Sequence, residues 1–88
     1  MTYQVDVPEP IAKELRALSA EPRRAIGYAI HKLSTNPRPQ NAKKLAGTAD
    51  RYRYRIRIGD WRVVYSIEDR KLMVLVLRVA DRKDVYRK

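Results

Sequence analysis

The sequence contains no cysteine and no phenylalanine, and its only histidine is His31. Without cysteine the protein has neither disulfide bonds nor thiolate metal ligands. His31 lies off the apolar stripe of its predicted helix, so we expect a solvated surface residue and not a catalytic one. No group of histidine, aspartate and glutamate residues has metal-ligand spacing. We therefore expect a protein without a metal or any other cofactor.

Long apolar runs are also missing from the sequence. No stretch approaches the roughly 18 apolar residues of a membrane-spanning helix. The N-terminus has no basic segment followed by an apolar run, as a secretory signal would. We therefore expect a cytoplasmic protein with no membrane partner. The length of 88 residues predicts a single domain over residues 1–88.

Acidic residues are few compared with basic ones. Twenty lysines and arginines against ten aspartates and glutamates give a formal net charge of +10. The excess is concentrated in residues 51–88, which carry twelve basic and five acidic residues. Because such an excess repels itself, the composition predicts a polyanion or an acidic protein as the partner.

The first half of the chain has helical spacing. Ile11, Leu15 and Leu18 lie four and three residues apart, which predicts a helix near residues 10–19. A second apolar stripe predicts another helix over about residues 19–34, and proline then prevents its continuation.

The second half of the chain changes to the alternation of β-strands. Residues 36–50 predict a loop, and residues 51–58 then alternate strictly between arginine and apolar residues. Gly59-Asp60 suits a two-residue hairpin turn, after which a second strand returns. A third strand over residues 72–77 is apolar on both faces, so we expect it in the interior of the sheet.

Together these elements predict an α+β domain. The predicted order is β-α-α-β-β-β, with a short first strand over residues 3–7. We expect an antiparallel sheet with a two-helix hairpin packed on one of its faces. The pattern leaves open where the first strand joins the sheet.

The predicted hairpin collects arginines on one face. A two-residue turn pairs Arg57 with Arg62 and Arg55 with Val64, so the apolar residues all lie on the other face. Paired like charges cost about 0.2–1 kcal/mol unless an anion lies between them. Since arginine binds phosphate bidentately, we interpret this face as a binding surface for a nucleic-acid backbone; a merely solubilising face is the alternative. The candidate RNA-binding residues are Arg51, Arg53, Arg55, Arg57, Lys43 and Lys44.

Candidate catalytic residues lie near the C-terminus. RNA can be cut without a metal when its own 2′-hydroxyl attacks the neighbouring phosphate, which requires a base and positive charge on the developing phosphorane. Arg82 suits phosphorane stabilisation, because the pKa of arginine is too high for a good general acid. Tyr86 can be interpreted as a proton acceptor beside an arginine, or as an aromatic residue that closes the core.

Several segments together resemble the RelE/ParE toxin superfamily, and RelE more than ParE. The Gly-Asp-aromatic-Arg-Val-Val-Tyr pattern followed by Arg and then Val-Tyr is fairly specific, and the resemblance covers nearly the whole chain in order. It rests on residues 36–37, 43–47, 52–56, 59–65 and 82–87.

The resemblance implies a function and a set of roles. RelE toxins cut messenger RNA in the ribosomal A site, and a cognate antitoxin neutralises them in a hetero-oligomer. By position, Arg62 and Arg82 match the phosphate-contacting and transition-state arginines, and Tyr86 matches the tyrosine that activates the 2′-hydroxyl. Arg53 and Arg55 match two positions that are lysines in the best-known members. Because arginine does not readily transfer a proton, charge stabilisation is the role expected of these two residues.

Two other functions are compatible with parts of the sequence. ParE-like toxins share the fold but inhibit DNA gyrase, and they generally lack the Arg/Arg/Tyr set. A non-catalytic basic RNA-binding module would keep the arginine face but would not need Tyr86. The implied ribonuclease activity is the prediction that uses all three catalytic candidates.

Overall fold

The computed structural model describes residues 2–47 and 52–81, with the side chain of Ala46 excepted. Five strands and two helices form this part of the chain, together with one short 3₁₀ turn at Asp69–Lys71. In chain order the elements are β1 (Gln4–Asp6), α1 (Glu9–Arg16), α2 (Ala20–Lys32), β2 (Lys43–Gly47), β3 (Tyr52–Ile58), β4 (Trp61–Glu68) and β5 (Met73–Asp81). Neither α1 nor α2 is long and apolar enough to cross a membrane.

The strands form one sheet in the order β1-β5-β4-β3-β2. The predicted α+β class is confirmed, and the third predicted strand, now β5, does lie inside the sheet. The sheet is mixed and not purely antiparallel, because β1 pairs with β5 in parallel orientation. A parallel pair needs a long crossover, and α1 and α2 lie within the connection that supplies it.

The loop predicted over residues 36–50 contains an additional strand. Residues 43–47 form β2, which pairs antiparallel with β3 at the edge of the sheet. Leu45 lies at a shift in the pairing register and is 48% exposed. Lysine and glycine disfavour strands, so the local pattern does not reveal β2 and the pairing with β3 defines it.

Both helices begin near their expected positions and end earlier than expected. The helix α1 covers residues 9–16 and α2 covers residues 20–32, with Ser19 at the N-cap of α2. Their apolar stripes pack on the sheet, with α1 against β5 and α2 against β3 and β4. One core results, formed by residues of both helices and of three strands. Its buried residues include Ile11, Ile26, Ile30, Leu33, Ile56, Val63, Tyr65, Ile67, Val74, Val76 and Val79.

A β-bulge interrupts the pairing of β4 with β5. Tyr65 pairs with Val76 and Val64 pairs with Arg78, so Leu77 has no opposite partner. A bulge inserts one residue and thereby reverses which face the following side chains occupy. The alternation of β5 is shifted by one at this point, so that Val79 returns to the core opposite Val63.

An ion pair between Arg38 and Asp69 lies at the end of the β3–β4 hairpin that is distant from its turn. Arg38 donates two hydrogen bonds to the Asp69 carboxylate, at 3.1 and 2.9 Å, and Tyr3 donates a third at 2.7 Å. The Arg38 guanidinium also lies 5.6 Å from the ring centre of Tyr52 and 5.4 Å from that of Tyr54. This group of residues joins the N-terminus, the loop after α2, β3 and the 3₁₀ turn.

We expect Asp69→Asn to lower the free energy of unfolding by about 1 kcal/mol at pH 7, a modest loss because the ion pair is partly exposed. Hydrogen bonds from Arg38, and then from Tyr3, lower the pKa of the Asp69 carboxyl. A lowered pKa stabilises the fold above the unfolded-state pKa, and this stabilisation is lost as the pH falls through the folded-state pKa. The difference between variant and wild type should therefore shrink near pH 2.

Thermal unfolding followed by circular dichroism at both pH values measures this difference. Glu9→Gln is the matched control, because it removes the more exposed ion pair between Glu9 and Arg16. We expect the control to change stability by less than about 0.5 kcal/mol. An Asp69→Asn difference of equal size at pH 7 and pH 2 would contradict the assigned role of the carboxylate.

Candidate functional site

The β3–β4 hairpin has the predicted register. Ile58 pairs with Trp61, Arg57 pairs with Arg62, and the remaining pairs follow without a shift. Gly59, the first turn residue, has a φ of +61°, which an L-residue with a side chain rarely adopts. The turn sequence thus fixes the pairing, and the pairing fixes which side chains share a face.

The arginines of the hairpin share the face of the sheet opposite the helices. We call this surface the arginine face and define it by Arg53, Arg55, Arg57 and Arg62. Arg55 and Arg62 are half-buried, whereas Arg53 and Arg57 are exposed. Residues two apart on a strand are separated by roughly 7 Å and neighbouring strands by about 4.8 Å. The four guanidinium groups can therefore reach anions over several neighbouring positions.

Like charges on this face repel one another. Partial burial, and then the charges of Arg57 and Arg62, lower the pKa of Arg55. In the described part of the chain, no salt bridge joins an arginine of this face to an acidic residue. Asp60, at the turn, forms no salt bridge with Arg57 or with Arg62. Arginine stays protonated at neutral pH in spite of such repulsion. A bound anion would relieve the repulsion, so the arrangement favours phosphate binding.

A small cavity lies where the two opposed arginines meet the turn. Its volume is about 20 Å³, and Arg57 and Arg62 line it together with the turn residues and Trp61. This is space for about one water molecule or one oxygen atom of an anion.

The two candidate lysines lie on opposite faces of the sheet. Lys43 pairs with Arg55 and therefore shares the arginine face. Lys44 pairs with Tyr54, and its Nζ atom lies 4.6 Å from the ring centre of Tyr52, on the helix side. Lys44 therefore does not lie on the arginine face, because the alternation of β2 turns its side chain to the other side of the sheet, and its assignment to RNA binding stays a prediction.

Three further candidates, Arg51, Arg82 and Tyr86, lie outside the described residues. Their roles in binding and catalysis stay predictions from the sequence and from the resemblance. The described part of β5 ends at Asp81, which pairs with Trp61, and Ala80 pairs with Arg62.

The structure adds one residue that sequence reasoning missed. Arg78 is exposed and pairs with Val64, which places it on the same face as Arg55 and Arg62. Simple alternation from the buried residues Val74 and Val76 would turn Arg78 into the core. The bulge at Leu77 instead turns Arg78 toward the arginine face. The only sign of this in the sequence is that arginine is rarely buried in a core.

Two expectations about other side chains can be compared with the structure. His31 is exposed on α2, as predicted, and lies away from the arginine face. Among residues 2–47 and 52–81, no three histidine or acidic side chains come together as a metal site would require.

Comparisons with known proteins agree with this fold. The family model described as "ParE toxin of type II toxin-antitoxin system, parDE" matches residues 7–86. The mRNA interferase toxin RelE of Escherichia coli K12 is 33% identical over 88 residues, which cover 98% of this chain and 92% of that protein.

Solved structures are similar as well. The archaeal RelE–RelB complex of Pyrococcus horikoshii OT3 matches with a TM-score of 0.86 at 32% identity, covering 93% of this chain and 97% of that chain. The intact RelBE toxin–antitoxin complex of E. coli matches with a TM-score of 0.67 at 31% identity, covering 90% and 95%.

With this fold and these relatives, the chain is a small toxin of the type II toxin–antitoxin class. The chain belongs to the RelE/ParE toxin superfamily. The relatives and complexes compared above are RelE proteins, so the resemblance to RelE inferred from the sequence is confirmed.

Proposed function

We propose that the protein is the toxin of a type II toxin–antitoxin pair and an endoribonuclease that cuts messenger RNA in the ribosomal A site. The toxin domain comprises residues 1–88, and the activity belongs in the cytoplasm, where the ribosome is its site of action. The observation that carries the proposal is the position of Arg62. It lies half-buried on the arginine face, opposite Arg57, without an acidic partner among the described residues.

The mechanism follows from the side chains available. The 2′-oxygen of the message forms a bond to the phosphorus of the adjacent phosphate, and the bond from phosphorus to the 5′-oxygen breaks. The 5′-oxygen takes up a proton from solvent, so that the products are a 2′,3′-cyclic phosphate and a 5′-hydroxyl. Arg62 contacts the phosphate, and Arg82 stabilises the charge of the phosphorane. Tyr86 accepts the proton of the 2′-hydroxyl, because cationic neighbours favour its phenolate. The reaction needs no cofactor, since the nucleophile belongs to the RNA itself.

The substrate strand is held by the cations around this centre. Arg53, Arg55 and Arg57 contact the phosphates that flank the cut, and Lys43 extends the surface onto β2. Arg51 precedes β3 and is assigned to the same surface. Because these contacts are with the backbone, they position the message without selecting its sequence.

The second partner is a cognate antitoxin, as in the RelE–RelB complexes that this chain resembles. A formal charge of +10 favours an acidic antitoxin surface over the arginine face. Toxin and antitoxin then form a hetero-oligomer in which the substrate surface is covered.

The first experiment is a cleavage assay with programmed 70S ribosomes, in which cuts are mapped by primer extension. Naked messenger RNA is the control. A cut within the A-site codon that requires ribosomes supports the proposal. A cut in naked RNA as well would reject ribosome dependence, and no cut in either sample would favour gyrase inhibition.

Gyrase inhibition is the second candidate because the matching family model is that of the ParE toxins. A DNA supercoiling assay with purified gyrase tests it directly. A non-catalytic RNA-binding module is the third candidate. Such a module would not need Tyr86, so substitution of Tyr86 distinguishes it from a nuclease.

We expect Tyr86→Phe to reduce the rate of cleavage by about 10²–10⁴-fold, the usual contribution of a general base. Single-turnover cleavage on programmed ribosomes measures it. Tyr28→Phe is the matched control, because Tyr28 is 66% exposed on α2, which packs on the face of the sheet opposite the arginine face. If Tyr86→Phe kept full cleavage or full toxicity, the assigned proton transfer would be wrong.

A further inference from the structure

One exposed cation on the substrate side of the sheet has no role in the mechanism above. Arg78 lies on β5, opposite Val64 of β4, and Val64 is in turn opposite Arg55 of β3. Arg55 and Arg78 therefore stand on either side of Val64, two strands apart. Two strand spacings amount to about 10 Å, a gap that two arginine side chains can close around one phosphate.

This row of residues lies next to the row that contains Arg62. Arg57, Arg62 and Ala80 are paired across β3, β4 and β5, two residues along from Arg55, Val64 and Arg78. The separation of the two rows along the strands is roughly 7 Å. The rows thus offer cations to two successive positions of an extended chain of phosphates.

The β-bulge at Leu77 is what creates the second row. It returns Val79 to the core and turns Arg78 outward, at the cost of leaving Leu77 37% exposed and without an opposite residue. Bulges occur preferentially next to active sites, where they re-aim a side chain. None of the salt bridges among the described residues involves Arg78, so its charge is not neutralised there.

We propose that Arg78 is a further substrate-binding residue, which together with Arg55 holds the phosphate next to the one contacted by Arg62. The proposal rests on the RNA-cleaving function proposed above and extends its substrate surface from the hairpin onto β5. Val64 forms the apolar floor between the two guanidinium groups. Arg78 binds the strand and takes no part in proton transfer.

Binding of a non-cleavable RNA tests the proposal without relying on cleavage. The probe is a fluorescently labelled RNA nonamer with a 2′-O-methyl sugar at every position, titrated with purified protein at several salt concentrations. We expect Arg78→Ala to weaken binding by about 10-fold, since a charged hydrogen bond to phosphate is lost. The slope of log affinity against log salt should fall by about 0.7, the value for one phosphate contact on a single strand.

Arg24→Ala is the matched control, because it removes the same charge from an exposed position on α2. Arg78→Lys keeps the charge and should restore most of the affinity. In the ribosome assay, Arg78→Ala should raise KM and leave kcat within about twofold. Equal binding by Arg78→Ala and Arg24→Ala, a fall confined to kcat, or no binding by the wild type would each overturn the assignment.

Failure of this assignment can be distinguished from failure of the proposed function. If the wild type cuts the message and Arg78→Ala behaves like Arg24→Ala, the proposed function holds and the proposed role of Arg78 is wrong. If the wild type cuts nothing but binds RNA through Arg78, Arg78 is an RNA contact and the proposed nuclease function is wrong.

Discussion

Arg62→Ala is expected to reduce the rate of message cleavage by about 10²–10³-fold, the loss usual when one group that stabilises transition-state charge is removed. The reason is its position: Arg62 is half-buried on the arginine face, opposite Arg57, which is exposed. Single-turnover cleavage on programmed ribosomes measures the effect.

The same substitution should not weaken the fold. Removing Arg62 relieves its repulsion with Arg57, which by itself stabilises the hairpin by about 0.2–1 kcal/mol. Urea denaturation should therefore give an unchanged or higher free energy of unfolding. Arg24→Ala, which removes one exposed charge from α2, should change neither activity nor stability. An Arg62→Ala variant that was folded and fully active would refute the central role of this residue.

Tyr65→Ala is expected to be the most destabilising single change in the hairpin, with a loss of about 3–5 kcal/mol, as for other large aromatic residues in cores. Tyr65 is completely buried, its ring stacks on Tyr54 at 6.1 Å, and its hydroxyl donates a 2.7 Å hydrogen bond to the Pro37 carbonyl. The loss is a large part of the 5–15 kcal/mol that stabilises a typical domain.

Tyr65→Phe separates the hydroxyl from the ring. It leaves the Pro37 carbonyl without its hydrogen bond and should cost about 1–3 kcal/mol. Tyr28→Ala is the exposed control and should cost less than about 0.5 kcal/mol. Chemical denaturation followed by circular dichroism gives all three values. If Tyr65→Ala were as harmless as Tyr28→Ala, the burial of this ring would not stabilise the core as argued here.

The two predictions concern opposite faces of one strand. Tyr65 faces the helices and Arg62 faces the substrate side, because side chains of β4 alternate. A variant at Tyr65 should lose cleavage only in proportion to its unfolded fraction. A variant at Arg62 should lose cleavage while it remains folded. Measuring activity and stability on both variants therefore separates a structural effect from a catalytic one.

The sequence by itself determined the hairpin and the arginine face. Strict alternation over residues 52–58 and the Gly59-Asp60 turn are local features, and a two-residue turn permits only one pairing of the flanking strands. The placement of Arg55 opposite Val64 and of Arg57 opposite Arg62 follows from these features alone. The interior position of β5 was predictable for a similar reason, since its residues are apolar on both faces.

Only the tertiary structure decided which residues complete that face. Lys43 joins it and Lys44 does not, because pairing with β3 turns a segment without strand character into β2. Arg78 joins it because a bulge in β5 shifts the alternation by one residue. Pairing partners and bulges depend on strands distant in sequence, and local periodicity carries no information about them. The alternation of β3 therefore predicted which hairpin residues lie on the arginine face. The pairing within the whole sheet determined that Lys43 and Arg78 lie there as well.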